Sequence, residues 1–302
     1  MNRENKHRTV KDPIYGFRQL VSLPNEKVTT KFYQRQYYDL IRKGSRACEL
    51  GRLIAGGKEA ESERDWLHQT LYSDIAYVLD HNAPGKRVLD VGCGTGEFPL
   101  YLQRREFFTV QIEPSLEAVA IAESYGLVVR NSTLEEFVEQ YHERTKRFFD
   151  AVILLNILEH VPNPAQLVEL ARTVLKPGGI ILVRVPNDFS KIQTIAREKL
   201  SKEEWWVVPP DHINYFNFES LHNLLEELGF EVIYSQGDFP MEMFLLMGDD
   251  YVGNAEIGSM CHKKRVQFEM AVPGELRRTM YRSLAEVGIG RDCLVFGRKM
   301  EA

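Results

Sequence analysis

The sequence predicts an α/β fold: a doubly wound, mostly parallel sheet of seven strands, Rossmann-like in plan, with helices on both faces. Three observations carry that reading. From Lys86 onward, short apolar β-branched runs alternate with helical stretches, as strands buried on both faces require. The first run opens into three alternating glycines, which suit a strand turning tightly into a helix. A length of 302 residues, 44% hydrophobic and 27% charged, suffices for one substantial core and excludes a disordered chain.

The strands are placed in order at Arg87–Val91, Phe108–Ile112, a weaker Leu127–Val129, Phe149–Leu155 and Ile180–Val185, with two more at Glu231–Ser235 and Cys293–Arg298. Helices are expected at Leu116–Tyr125 and at Pro164–Leu175, the latter stopped by Lys176-Pro177-Gly178-Gly179. Asp188–Leu200 also reads as helix, as does Phe218–Leu228, which Gly229 ends; residues 201–216 read as a loop rich in Trp, Pro and Tyr. Ahead of the sheet, Glu49–Asp80 shows Trp66, Leu67, Leu71, Ile75 and Val78 at helical spacing. The expected organisation is therefore an N-terminal helical extension or lid over residues 1–80 and a main domain over 81–302, with an insertion at about 238–290.

Charge and composition narrow the function. The formal charge is −5, which disfavours nucleic acid held by bulk positive charge. Residues 1–46 carry +7 and the rest −12, so the basic front suits either a solvated face or an anionic ligand. The four cysteines are scattered, and no Cys/His group has metal-ligand spacing, so no metal is expected. No apolar run approaches a membrane span and the start lacks a signal-peptide core, which reads as a cytoplasmic protein.

The chemistry concentrates in spaced motifs. Asp90-Val91-Gly92-Cys93-Gly94-Thr95-Gly96 lets a ligand approach the backbone without meeting a Cβ. Glu97 stands where a dinucleotide fingerprint needs glycine, and its carboxylate would oppose a pyrophosphate at the helix N-terminus. Glu113, followed by Pro114, ends the second strand 17 positions after Gly96, where a carboxylate can accept hydrogen bonds from two vicinal hydroxyls. The fourth strand exits through Asn156-Ile157-Leu158-Glu159-His160-Val161-Pro162, and Lys176-Pro177-Gly178-Gly179 follows.

Together these motifs resemble the class I S-adenosylmethionine-dependent methyltransferases, in the branch with Glu-His-Val-Pro after strand four. The likeness covers roughly Arg87 to Phe230 and the last strand. It implies S-adenosylmethionine as cofactor, held by Asp90, Gly92, Cys93, Gly94 and Gly96, with Glu113 on the ribose and Pro114 beside it. The family usually places an acid after strand three to hold adenine; this chain offers Asn131 followed by Ser132, Thr133 and Leu134. Asn156 and Ile157 complete the expected cofactor set.

Methyl transfer to a hydroxyl or acidified carbon is helped by a base, for which His160 and His212 are the candidates. The plainer alternative has His160 bonding backbone, with Glu159 capping or facing solvent. Tyr37, Tyr38, Trp206 and Tyr215 are the aromatics expected to meet a small-molecule acceptor, against packing as the ordinary role of such rings. The expected activity is O- or C-methylation of a sugar-like, quinone-like or secondary-metabolite acceptor. The alternative is a non-catalytic binding or assembly protein that keeps the fold.

Overall fold

The computed structural model describes residues 8–23, 41 and 48–301. Tyr37 and Tyr38 lie outside the described residues. The strands are β1 (Thr9–Lys11), β2 (Arg18–Leu20), β3 (Arg87–Val91), β4 (Phe108–Ile112), β5 (Val129–Arg130), β6 (Phe149–Leu155), β7 (Leu175–Pro186), β8 (Asn214–Tyr215), β9 (Phe230–Gln236) and β10 (Asp292–Lys299). Seven of them form one sheet in the order β5-β4-β3-β6-β7-β10-β9. β3 runs parallel to β4 and β6, and β4 to β5, while β9 and β10 pair antiparallel.

The core strands are where the apolar runs put them, for a simple reason. Val88, Leu89, Val152, Ile153 and Leu154 are all excluded from solvent, and such runs have no polar face to turn outward. β7 is longer than its apolar run suggests. Lys176-Pro177-Gly178-Gly179 was expected to be a turn but lies inside the strand, because Lys176 Nζ bonds Asp150 Oδ1 of β6 at 2.6 Å and holds that stretch alongside. A Cβ on Gly179 would stand 2.9 Å from the Lys176 carbonyl, so glycine is what allows the strand to continue there.

The N-terminal region differs from a purely helical extension. Asp12 Oδ1 accepts the amides of Ile14 and Tyr15, Gly16 takes a positive φ, and the resulting turn joins β1 to β2. β8 then pairs with β2, Arg18 opposite Tyr215 and Gln19 opposite Asn214. The expected helical stretch follows as three helices, Cys48–Ala55, Gly57–Gln69 and Leu71–Asn82. The expected insertion is helical, at Glu242–Leu246, Ala255–Ala271 and Gly274–Glu286.

By internal contacts the chain forms two compact units. One comprises Pro24–Leu154 with Leu170–Ile181 and carries β3, β4 and β5; the other comprises the N-terminal stretch to Leu23, Leu155–Glu169 and everything from Leu182. Each draws on its own apolar cluster. Val119, Ala122, Leu127 and Val129 pack in the first; Leu20, Trp206, Ile213 and Tyr215 pack in the second.

Gly96 and Gly56 separate backbone strain from crowding. Both have positive φ, 84° and 75°. A Cβ at Gly96 would meet Leu127 Cδ1 at 2.3 Å and Ala122 Cβ at 3.1 Å, whereas nothing lies within 4 Å at Gly56. In denaturant titrations Gly56→Ala should cost about 1 kcal/mol from backbone strain alone. Gly96→Ala should cost about 2–4 kcal/mol, because overpacking adds to strain; equal losses would show that the loop relaxes away from Leu127.

Candidate functional site

In the first unit, β3 delivers the glycine loop and β4 delivers the carboxylate beneath it. Gly92, Gly94 and Gly96 take φ of 69°, 55° and 84°, conformations that L side chains resist. The amides of Gly92 and Cys93 both donate to the Ile112 carbonyl, at 2.8 and 3.2 Å, so the loop is strapped to the end of β4. Glu113, 7% exposed, then accepts the Gly94 amide on Oε2 at 3.0 Å and the Ser115 amide on Oε1 at 2.8 Å. One acceptor position on each oxygen remains for a ligand.

A second carboxyl, Asp90, is buried beside it. Burial, and then the Glu113 charge, push Asp90 up to about 7. Burial also raises Glu113, opposed by the amides of Ser115 and Gly94. Cys93 Sγ lies 3.8 Å from the Gly94 carbonyl, and burial beside both acids pushes its thiol far up, so it stays protonated. Two acids on the loop floor favour a cationic ligand over a diphosphate.

That arrangement also corrects the reading of Glu97. Its carboxylate does not face the loop's ligand side as a lone charge; it is bound by Arg64 Nε and Nη2, the closest contact 2.7 Å.

After β5 the expected adenine segment is built from local bonds. Asn131 Nδ2 donates to the carbonyls of Glu113 and Pro114, both at 3.0 Å, and so braces the peptide that carries the ribose candidate. Ser132 Oγ donates to the Thr133 carbonyl. Thr133 and Glu136 form a reciprocal cap on the helix Leu134–Thr145, and Leu134 is buried in the core. The capping pair was readable as Thr-x-x-Glu in the sequence.

The second unit gathers the residues that leave β6. Asn156 has φ 57°, accepts Arg184 Nη1 at 2.6 Å and donates to Glu159 Oε1 at 3.2 Å; Ile157 is half-buried. Glu159 does not face solvent: it is 1% exposed, and its Oε2 has no hydrogen-bond partner. Burial raises its pKa, opposed by the charge of His160. His160 Nδ1 lies 2.9 Å from the Asp211 carbonyl, and its ring meets that of His212 edge-on at 5.0 Å. Although sequence spacing suggested no ligand set, donor atoms of Glu159, His160 and His212 lie within 4.8 Å of one another.

Asn214 holds these two loops together, a role the sequence reading missed. Its Nδ2 donates to the carbonyls of Leu158 at 2.8 Å and Val161 at 2.7 Å, while the amides of Ile213 and Asn214 both donate to the Glu159 carbonyl. Gln19 of β2 donates to Asn214 Oδ1 at 2.8 Å. An Asn within the aromatic-apolar run Ile213-Asn214-Tyr215-Phe216 was the available signal, since a buried amide must find partners.

Trp206 and Tyr215 are packed rather than open. Trp206 meets Phe189 and Trp205 edge-on, and Tyr215 donates its hydroxyl to the His212 carbonyl. Tyr215 also lines a cavity of about 370 Å³ in this unit, with Lys11, Arg18, Asp188, Phe189 and Arg197. Arg18 lies 4.7 Å over the Phe189 ring, and burial raises the Asp188 carboxyl well above its usual range.

The raised pKa of Asp90 gives a testable sign. Its folded value lies above that of the unfolded chain, so its contribution to stability is complete below about pH 4 and is lost as pH rises through about 7. Asp90→Asn should therefore match wild type in thermal stability near pH 4 and exceed it at pH 8, on the order of a few kcal/mol. A constant difference across that range would contradict the burial of this charge.

The sequence profile of the methyltransferase domain family matches residues 64–235. The chain is 36% identical over 136 residues to a ubiquinone biosynthesis O-methyltransferase of Hahella chejuensis, covering 43% of this chain and 56% of that protein. A protein of the same name from Vibrio cholerae is 27% identical over 186 residues, 59% of this chain and 74% of that one. The chain thus spans little more than half the length of the Hahella relative. Among solved structures, a methyltransferase from Archaeoglobus fulgidus aligns with TM-score 0.53 at 18% identity, over 87% of this chain and all of that one. The cyclase SpnF aligns with TM-score 0.56 at 20% identity, over 93% and 98%; at such identities the likeness is one of fold. With more than half of its length inside the matched domain, the chain belongs to the class I S-adenosylmethionine-dependent methyltransferases.

Proposed function

We propose that this chain is an S-adenosylmethionine-dependent O-methyltransferase acting on a small hydroxylated, quinone-like acceptor. The observation that carries the donor assignment is the pair of buried acids, Asp90 and Glu113, beneath a loop of positive-φ glycines. Glu113 has one acceptor position left on each oxygen, which matches two vicinal ribose hydroxyls. A donor carrying an ammonium and a sulfonium suits an acidic floor. O-methylation and the quinone-like class rest on the relatives named for ubiquinone biosynthesis.

When bound, S-adenosylmethionine supplies an electrophilic methyl: the acceptor oxygen–carbon bond forms as the sulfur–carbon bond breaks, and the electron pair stays on sulfur. The residues of this chain orient and deprotonate. His160, with Nδ1 donating to the Asp211 carbonyl, keeps Nε2 as its acceptor nitrogen, the form needed to help remove a hydroxyl proton. His212 stands edge-on to it as the second candidate. Lys11 and Arg18 at the cavity beside Phe189 and Tyr215 suit an acceptor that carries an anionic group on a flat ring. Trp206, buried against Phe189, supports that wall of aromatic rings.

Calorimetry with S-adenosylhomocysteine tests the donor reading. Glu113→Ala should weaken binding at least about tenfold, the loss of charge-assisted hydrogen bonds. Tight NADH binding with no affinity for the sulfur ligand would overturn it. His160→Ala and His212→Ala should each lower turnover about 100-fold and leave donor affinity unchanged; loss of donor affinity would mark both as structural.

A further inference from the structure

A loop with glycine at Gly92, Gly94 and Gly96 has little shape of its own. Glycine has the freest backbone of any residue, so these left-handed turns need restraints from outside. Two come from the sheet: the Ile112 carbonyl accepts the amides of Gly92 and Cys93, and Glu113 accepts that of Gly94. The exit of the loop, where Gly96 leads into the helix Glu97–Gln103, is held from elsewhere.

That restraint is Arg64, on the helix Gly57–Gln69. Its Nε and Nη2 bind both carboxylate oxygens of Glu97 at 2.7, 3.0 and 3.2 Å, and Glu97 is 8% exposed. A two-pronged pair of this kind fixes direction as well as distance. Because Glu97 directly follows Gly96, the guanidinium holds the loop one peptide from its last left-handed turn. The helix Cys48–Ala55 reaches the other flank: Leu50 and Ile54 pack against Ile41 and Ala118. Ala118 lies in the first turn of the helix that Ser115 caps, and the Ser115 amide is the second donor to Glu113. Arg52 and Glu63, joined at 2.7 and 2.9 Å, tie the two helices to each other.

We propose that the helices Cys48–Ala55 and Gly57–Gln69 clamp the glycine loop in its donor-binding shape, with Arg64 as the positioning residue, so that docking of the clamp and binding of the donor strengthen each other. The inference rests on the donor assignment proposed above. Arg64 acts through Glu97 rather than on the ligand. A loop already held in its bound shape loses less freedom when the ligand arrives, and that difference appears as affinity. By linkage, what the donor gains from the docked clamp, the clamp gains from the donor. A merely structural ion pair would stabilise the free and bound chain alike and leave affinity untouched.

Calorimetry with S-adenosylhomocysteine on the full chain, at a temperature where each variant is folded, tests the clamp. Arg64→Gln and Glu97→Gln should each weaken binding about tenfold, and the double variant no more than either alone, because both remove the same contact. Arg64→Lys keeps the charge, loses the fork and should recover part of the affinity. Lys176→Met breaks another short ion pair, to Asp150 at 2.6 Å, outside the clamp; it should lower stability and leave affinity unchanged. In hydrogen exchange the ligand should slow the amides of Gly57–Gln69 in wild type and not in Arg64→Gln. If Glu97→Gln fails to fold, Arg64→Gln and Arg64→Lys carry the comparison. Unchanged affinity in Arg64→Gln, an equal loss in Lys176→Met, or no ligand-dependent protection of Gly57–Gln69 would overturn the clamp and leave the donor assignment standing. No binding by the wild-type chain would overturn both.

Discussion

The glycine loop after β3 depends on one carboxylate buried where water cannot solvate it. Glu113 ends β4 and accepts amides from both sides, Gly94 in the loop after β3 and Ser115 at the start of the next helix. Each such bond to a charged group contributes about 1.5–3 kcal/mol, against the desolvation that raises its pKa. The loop can bring its amide to that oxygen only because Gly92, Gly94 and Gly96 accept left-handed backbone. Asn131 fixes the peptide that follows. Geometry, charge and glycine content are thus one constraint, and Asp90, pushed up to about 7 by burial and by Glu113, lies beside it.

A comparable constraint operates in the second unit through a neutral group. Asn214 is wholly buried and spends its amide on carbonyls at both ends of the Leu158–Val161 segment. Its own backbone and that of Ile213 satisfy the Glu159 carbonyl between them. A buried amide with its partners in place rigidifies what it joins, because leaving any one unpaired would cost about 1–3 kcal/mol. His160, Glu159 and His212 therefore owe their positions to a residue that carries out no chemistry itself.

The parts legible in the sequence are those fixed by local pattern. β3 and β6 fall on their apolar runs, because a strand buried on both faces has no other way to be written; β4 falls on its expected run although Phe108 is exposed and only Gln111 and Ile112 are fully buried. The position of Glu113 directly after β4, bonded to the glycine loop, was legible from its place after an apolar strand and a glycine run. Glu97 was not, since its partner Arg64 lies 33 residues upstream on another helix. Glu159 was read as capping or exposed because its burial depends on the loop at Ile213 and Asn214, which joins it only in three dimensions. β1 and β2 are three residues each, too short to show alternation, and their third partner β8 lies far along the chain. Ser132 and Thr133 stand where the family usually carries an acid, and their side chains are engaged locally, in a hydrogen bond to the next carbonyl and a helix cap.

The most direct measurement is a crystal structure of the chain soaked with S-adenosylhomocysteine. Ribose hydroxyls are expected on the two Glu113 oxygens, beside the retained Gly94 and Ser115 amides, with the amino-acid arm over Asp90 and the glycine loop. A ligand bound elsewhere, or a Glu113 carboxylate making no contact with the ribose, would contradict it.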